Sequence, residues 1–201
     1  MRVVRGSSAA DGLPLNALLH AAVRLVESNC PGMTYSLLLF DSEQCVLRHG
    51  AGPSLPEEYV RALETLPIGP NVGSCGAAAF HKQTVVVEDI SDHPNWTEYK
   101  HLPLRHGFRA CWSSPILSPD GDLLGTFAMY YRLARGPRER ERAWVGVATR
   151  FAGFEIVQSR ARRRSEPPRQ ERRRSNCSAG WPPVSFTTST TFSPLSLATR
   201  T

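Results

Sequence analysis

The sequence lacks the patterns that mark a membrane span, a zinc site or a disulfide framework. It contains no run of 18 or more apolar residues, the length that a helix needs to cross a bilayer. Its five cysteines are an odd number, are widely spaced and include no Cys-x-x-Cys pair, which disfavours both bound zinc and paired disulfides. We therefore expect free thiols in a reducing cytoplasm, no metal site and no membrane partner.

The net charge of +6 is confined to the segment 162–201, which holds eight arginines and only two acidic residues. Basic and acidic groups therefore balance over the rest of the chain. A domain of balanced charge lacks the basic face of nucleic-acid-binding proteins, so we expect no specific nucleic-acid partner. Because 162–201 is rich first in Arg and then in Ser, Thr and Pro, with no apolar period, we predict a disordered tail there, and a disordered lead over 1–10.

Residues 11–161 are predicted to form one α+β domain. Apolar residues at three- and four-residue steps, together with stop signals, predict helices over Leu13–Ser28, from Pro56 to about Leu63, over Cys75–Lys82 and from Pro137 to about Arg160. Apolar and β-branched runs predict strands over Met33–Phe40, Cys45–His49, Thr84–Val87, Ala110–Leu117 and Leu123–Tyr131. The last two strands flank Pro119-Asp120-Gly121, which has the chemistry of a hairpin turn.

This order of elements predicts a single antiparallel sheet, because strands joined by short hairpins run in opposite directions. The two terminal helices would cover one face of the sheet. The long connections 50–82 and 89–107 would cover the other face and leave a concave site, where small ligands usually bind.

Three blocks carry a resemblance to a known family. They are Val72-Gly73-Ser74-Cys75-Gly76-Ala77-Ala78, then Val86-Val87-Glu88-Asp89-Ile90, then the segment from His106 to Tyr131. In this order and spacing they resemble the GAF domain, a small-molecule sensor module of signalling proteins. The resemblance implies a twisted, PAS-related, six-stranded antiparallel sheet, and terminal helices that pair into a homodimer. The three blocks are most similar to GAF variants found upstream of PAS, diguanylate cyclase or histidine kinase modules. This resemblance implies bacterial-type two-component or cyclic di-GMP signalling.

The block from His106 to Ser113 also resembles the pocket wall of phytochrome-type GAF domains. That likeness implies that Cys111, Ser113, Ala128 and Tyr130 face a ligand, and strand alternation is consistent with it. Aromatic side chains on the connections could stack on a flat ligand or pack against the sheet. The complete predicted ligand-binding set is Cys75, Trp96, Tyr99, His106, Cys111, Trp112, Ser113, Ala128 and Tyr130.

Neither the ligand nor a cofactor is identified by the sequence. The chain has no Cys-His dipeptide, so a covalently attached bilin is not expected. Three histidines lie between Asp92 and Gly107, and His106 is the first candidate if a haem is bound. Their spacings match no standard metal motif, and polar loop histidines are the simpler interpretation.

We expect no catalytic residue, but one enzymatic alternative stays open. Methionine sulfoxide reductases built on the GAF fold use a Val-Cys-Gly segment, which Ser74-Cys75-Gly76 matches in part, and a second cysteine in the loop before the Arg109 strand. Here that loop has no cysteine, and Cys111 lies inside the strand. The alternative is therefore a free methionine sulfoxide reductase using Cys75 and Cys111, and a third is an interaction fragment whose pocket is filled by side chains.

Overall fold

The structure is a computed structural model that describes residues 13–165. The predicted lead 1–10 and the predicted tail beyond 165 lie outside the described residues. The helices are α1 (Leu15–Asn29), α2 (Glu57–Ala62), α3 (Gly73–His81), α4 (His101–Arg105) and α5 (Glu139–Ser165), with a 3₁₀ turn at Pro94–Trp96. The strands are β1 (Thr34–Asp41), β2 (Val46–Ala51), β3 (Leu66–Pro67), β4 (Val85–Val87), β5 (Ala110–Leu117) and β6 (Leu123–Tyr131).

The six strands form one sheet in the order β3-β2-β1-β6-β5-β4, and every neighbouring pair is antiparallel. The predicted α+β class and the single antiparallel sheet are confirmed. Strands β5 and β6 have the predicted bounds, because the turn between them fixes both ends. Gly121 has φ +82°, the conformation expected of the hairpin glycine.

One face of the sheet is covered by the terminal helices α1 and α5, as predicted. The apolar positions of α1 pack with odd-numbered residues of β1 and β6, such as Tyr35, Leu37 and Phe127. Alternate residues of a strand point to opposite faces, so the even-numbered positions of these strands are left for the other side. The buried residues of α5 on this face are Val145, Ala148, Ala152 and Ile156.

The opposite face is covered by the connections, which contribute α2, α3, the 3₁₀ turn and α4. Its apolar cluster joins Leu38 of β1 and Tyr130 of β6 to Tyr59, Trp96 and Phe108. The sheet therefore separates two cores, one under long helices and one under short ones. We call these two sides the helix face and the pocket face.

The element ends differ slightly from those expected. Pro14 occupies the N-cap of α1 without a side-chain cap. Helix α5 extends to Ser165, so residues 162–165 are helical although the tail was expected to begin at 162. Within 13–165, no helix is long and apolar enough to cross a bilayer.

The contact between the two central strands depends on Gly125. A Cβ atom added there would lie 2.1 Å from the carbonyl oxygen of Leu38 on β1. Since this neighbour is backbone within a hydrogen-bonded ladder, it cannot move aside without separating β1 from β6.

We predict that Gly125→Ala lowers the free energy of unfolding by about 3 kcal/mol or more, since a forced overlap in a packed core costs at least about 1–3 kcal/mol. The matched control is Gly146→Ala in α5, whose new Cβ would lie 3.5 Å from the mobile Arg150 side chain. That substitution should stabilise the protein by about 1 kcal/mol through helix propensity. Urea denaturation of both variants measures the two effects, and equal stabilities would contradict the proposed strand contact.

Candidate ligand pocket

Helix α3 lies directly on strands β5 and β6 because its residues are small. All residues from Gly73 to Ala79 are buried. A Cβ atom at Gly76 would lie 2.6 Å from Cβ of Val72 and 2.8 Å from the carbonyl oxygen of Pro67, so only glycine permits this approach. The small-residue helix predicted from the sequence therefore forms the inner wall of the pocket face.

A cavity of about 70 Å³ lies between α3 and the shorter elements α2, α4 and the 3₁₀ turn. Four of the nine predicted residues line it: Cys75, Trp96, Tyr99 and Tyr130. The other lining residues are Tyr59, Ala62, Leu63, Leu66, Val72, Gly73, Ser74, Leu102 and Pro103. The site predicted from the sequence thus exists in part, and α2 and α4 supply much of it.

A chain of hydrogen bonds fixes the 3₁₀ turn to the sheet. The indole N–H of Trp96 donates to Ser74 Oγ at 3.2 Å, and Ser74 Oγ donates to the carbonyl oxygen of Cys111 at 3.2 Å. All three residues are buried. A buried indole needs such a partner, so this chain sets the position of the Trp96 ring over the cavity.

Aromatic rings form the opposite wall. The ring of Tyr59 on α2 meets the ring of Tyr130 edge-on, with centroids 5.2 Å apart, and that of Phe108 at 5.6 Å. The hydroxyl of Tyr130 is 3.2 Å from Ser36 Oγ on the neighbouring strand. Tyr59 was missed at the sequence level, although it is the aromatic residue of the predicted helix 56–63 and that could have marked it.

Three predicted residues share the pocket face without lining the cavity. Cys111, Ser113 and Ala128 are fully buried. Cys111 and Ser113 lie on β5 and Ala128 lies on β6, the strands that α3 covers. Strand alternation predicted the face to which these three side chains point, but α3 covers them on that face.

Trp112 was predicted wrongly as a pocket residue. It follows Cys111 on an extended strand, so its side chain points to the helix face and joins the cluster formed with α1 and α5. There the guanidinium of Arg142 on α5 lies 5.5 Å from the centre of the Trp112 ring. Trp112 therefore supports α5 and does not line the cavity.

His106 lies at the rim of the pocket face. Its Nε2 is 3.2 Å from Oε2 of Glu58, and Arg105 forms a salt bridge with the same carboxylate. Glu58 thus joins α2 to the end of α4; we call this the Glu58 bridge. A haem does not fit a cavity of about 70 Å³, and among residues 13–165 no group of three His, Cys, Asp or Glu side chains could hold a metal ion.

Comparison with known proteins identifies the family. The family model described as "GAF domain" matches residues 14–156. The chain belongs to the GAF domain family. GAF domains are sensor domains of signalling proteins, and the resemblance predicted from the three sequence blocks is confirmed.

The relatives of this GAF domain include a named sensor. The methyl sulfide methyltransferase-associated sensor of Methanosarcina acetivorans is 35% identical over 147 residues, which is 73% of this chain. The alignment spans about 15% of the length of that relative. The likeness therefore concerns one domain of a much longer protein.

Solved structures share the fold at lower identity. The GAF domain of a phosphoenolpyruvate-protein phosphotransferase from Coxiella burnetii is 23% identical, with a TM-score of 0.64, and the match covers 76% of this chain and 88% of that one. A free methionine-R-sulfoxide reductase from Neisseria meningitidis, solved with its substrate, is 20% identical with a TM-score of 0.61, covering 76% and 83%. These similarities establish a common fold for sensors and enzymes.

The cysteines of this GAF domain have the properties of structural thiols. Burial raises the pKa of the Cys75 thiol, and the hydroxyls of Ser113, Thr126 and Tyr130 offset this only in part. Burial also raises the pKa of Cys111 well above its usual value, and the nearby Cys75 adds to the shift. Because the thiolate is the nucleophile, these shifts favour the less reactive thiol form of both groups at neutral pH.

We predict that Cys75 and Cys111 resist alkylation in the native protein. In a Cys45→Ser/Cys177→Ser background, which removes the exposed Cys45 and the cysteine outside the described residues, iodoacetamide at pH 8 should label them only in denaturant. Peptide mass spectrometry locates the label, and the unsubstituted protein shows the rapid reaction of Cys45. Rapid native labelling of Cys75 would instead identify a reactive thiol.

Proposed function

We propose that this GAF domain is a cytoplasmic ligand-binding sensor with no catalytic activity of its own, and that the cavity beside α3 is its ligand site. The observation that carries the proposal is the set of elements that surround the cavity. Its walls come from the sheet and α3 on one side and from α2, α4 and the 3₁₀ turn on the other. Apolar, partly enclosed cavities with a few polar groups are the usual sites of small ligands.

The chemistry of the cavity wall favours binding over catalysis. Its ionisable side chains within the described residues are Cys75 and three tyrosines. Burial raises the pKa of Cys75, and raises the pKa of Tyr59 and Tyr130 well above the usual value. These groups stay protonated at neutral pH and cannot act as bases or nucleophiles there. The reductase alternative would need a thiolate that this environment suppresses.

Ligand entry requires movement of the short helices on the pocket face. A cavity of about 70 Å³ is well below the roughly 300–1,000 Å³ of sites for drug-sized ligands. The Glu58 bridge holds α2 against α4. Because the side chains of Glu58 and Arg105 are 51% and 62% exposed, their ion pair contributes about 1 kcal/mol or less and opens readily. The structure then corresponds to a closed state, and a ligand that binds an open state better shifts the population towards it.

The last strand offers a route from the pocket to the C-terminal helix. Tyr130 lines the cavity, and the next residue, Tyr131, points to the helix face, where its hydroxyl donates to Oε2 of Glu141 at 3.2 Å. Glu141 lies in the first turn of α5 and forms a salt bridge with Arg135 at 2.8 Å. A displacement of β6 at Tyr130 therefore also moves the attachment point of α5.

The contacts that Glu141 makes at this attachment favour its ionised form. Burial opposes ionisation, but hydrogen bonds from Arg135, the Arg138 amide and Tyr131 outweigh it and lower the pKa of Glu141. The guanidinium of Arg135 also lies 4.1 Å from the centre of the Tyr131 ring. The attachment is thus charged and partly buried, which favours a defined geometry for the start of α5.

We further propose that α1 and α5 pair with a second copy of the chain and carry the signal in bacterial-type two-component or cyclic di-GMP signalling. A groove of about 200 Å³ between the two helices is lined only by apolar side chains, among them Leu25, Trp144 and Phe151. Leu25 and Val147 are 53% and 47% exposed. Exposed apolar side chains gathered on one surface indicate an interface.

The ligand site is tested by paired cavity substitutions. Leu63→Ala enlarges the cavity, whereas Leu19→Ala removes the same atoms from the helix face, and each should destabilise the fold by about 2–5 kcal/mol. In a metabolite screen read by the Trp96 indole signal in NMR spectra, we expect Leu63→Ala to change the affinity of every hit at least tenfold. Leu19→Ala should leave the affinities unchanged. Equal effects of the two variants would show that the hits bind elsewhere.

The dimer is tested by charge substitution on the helices. We expect the unsubstituted protein to sediment as a dimer and the Val147→Glu/Phe151→Glu variant as a monomer, because a desolvated carboxylate is costly. Phe80→Glu is the control, since Phe80 is a similarly exposed apolar residue, at 54%, on the pocket-face helix α3. Sedimentation velocity gives the masses. A monomeric unsubstituted protein, or a dimer that survives the double substitution, would reject this interface.

A further inference from the structure

We propose that the ligand of this pocket is an uncharged, largely apolar molecule, with about three or four non-hydrogen atoms in the closed state. The inference rests on the proposed ligand site and adds the chemical class of what binds there. Three features of the cavity support it: the absence of charged side chains from its described wall, the prior use of several of its polar side-chain atoms, and its volume.

The first feature is the uncharged wall. Among the thirteen lining residues there is no Asp, Glu, Lys, Arg or His. A charged ligand group would therefore leave water without meeting a counter-charge, and an unpaired buried charge is costly. The side chains of the wall thus offer no counter-charge to an anion or to a cation.

The nearest charged groups at the rim are already committed to one another. Glu58 precedes the lining residue Tyr59, and its carboxylate is bound by Arg105 and His106. Arg105 is the last residue of α4 and His106 is its C-cap, so both closely follow the lining residue Pro103. A ligand carboxylate or phosphate would have to displace Glu58 to gain a cation, and an ammonium group would have to displace Arg105.

The second feature is the prior use of polar atoms. The indole N–H of Trp96 donates to Ser74, whose hydroxyl donates to the Cys111 carbonyl, and the Tyr130 hydroxyl is paired with Ser36. A ligand that required these groups would have to break bonds that position the wall itself. Contacts with the rings of Tyr59, Trp96 and Tyr130 cost no such bond and favour apolar surface.

The third feature is the volume. A dry apolar cavity of about 150 Å³ accommodates benzene, which has six non-hydrogen atoms. By proportion, a cavity of about 70 Å³ accommodates about three or four. Larger neutral ligands would need the open state.

This class excludes the ligands of two alternative functions. Free methionine sulfoxide is a zwitterion with a carboxylate and an ammonium group, and a nucleotide carries phosphate. The described wall has no charged side chain that would pair with either one. The reductase solved with its substrate shares the fold of this domain. The pocket of this domain nevertheless disfavours that substrate, because its wall has no charged side chain.

Three probes with four non-hydrogen atoms each separate charge from shape: isobutene, acetate and trimethylammonium. Each is titrated into the full chain, and binding is read from the Trp96 indole N–H in NMR spectra, assigned by its loss in Trp96→Phe. We expect isobutene to shift this signal saturably and the two ions to bind at least 100-fold more weakly. Leu63→Ala should alter the isobutene affinity and Leu19→Ala should not.

The remaining outcomes distinguish the two levels of the proposal. Saturable binding of acetate or trimethylammonium in the cavity, at an affinity equal to or above that of isobutene, overturns the ligand class but leaves the site intact. If none of the three probes shifts the Trp96 signal, and the metabolite screen gives no hit sensitive to Leu63→Ala, both the class and the ligand site are rejected.

Discussion

The close approach of α3 to strands β5 and β6 is the constraint on which the pocket face depends. Glycine at position 76 and the small residues around it let the helix backbone lie against the sheet, and this in turn places Ser74 within reach of the Cys111 carbonyl. The hydrogen bond from Trp96 then fixes the 3₁₀ turn. A larger side chain on the inner face of α3 would displace every later element of the pocket wall, because each is positioned through the one before.

The sheet separates two cores that are covered by different kinds of helix. The helix face buries α1 and α5 against large aliphatic and aromatic residues, whereas the pocket face is covered by short helices whose mutual contacts include the exposed Glu58 bridge. Local stability follows apolar burial, so the short helices can open at lower cost than the long ones. Tyr130 and Tyr131 point to opposite faces of the sheet because they are consecutive residues of one strand.

The sequence predicted the parts of the fold that local patterns determine. The β5–β6 hairpin was predicted with its observed ends, since turn chemistry and alternation act over a few residues. The two-residue strand β3 was not predicted as an element, because its pairing with β2 is set by tertiary contacts. Cys75, Trp96, Tyr99 and Tyr130 line the cavity, whereas the expectation for Trp112 disregarded its alternation with Cys111. Tyr59 and Leu102 were missed because the packing of α2 and α4 depends on contacts distant in sequence.

Burial distinguishes Cys75 of this domain from an exposed cysteine at the start of a helix. A cysteine at the start of a helix can have a lowered pKa when it is exposed to solvent and to the helix dipole. In this domain the small residues of α3 bring Cys75 so close to the sheet that desolvation dominates, and the pKa rises instead. The packing that forms this wall of the cavity therefore also disfavours the thiolate.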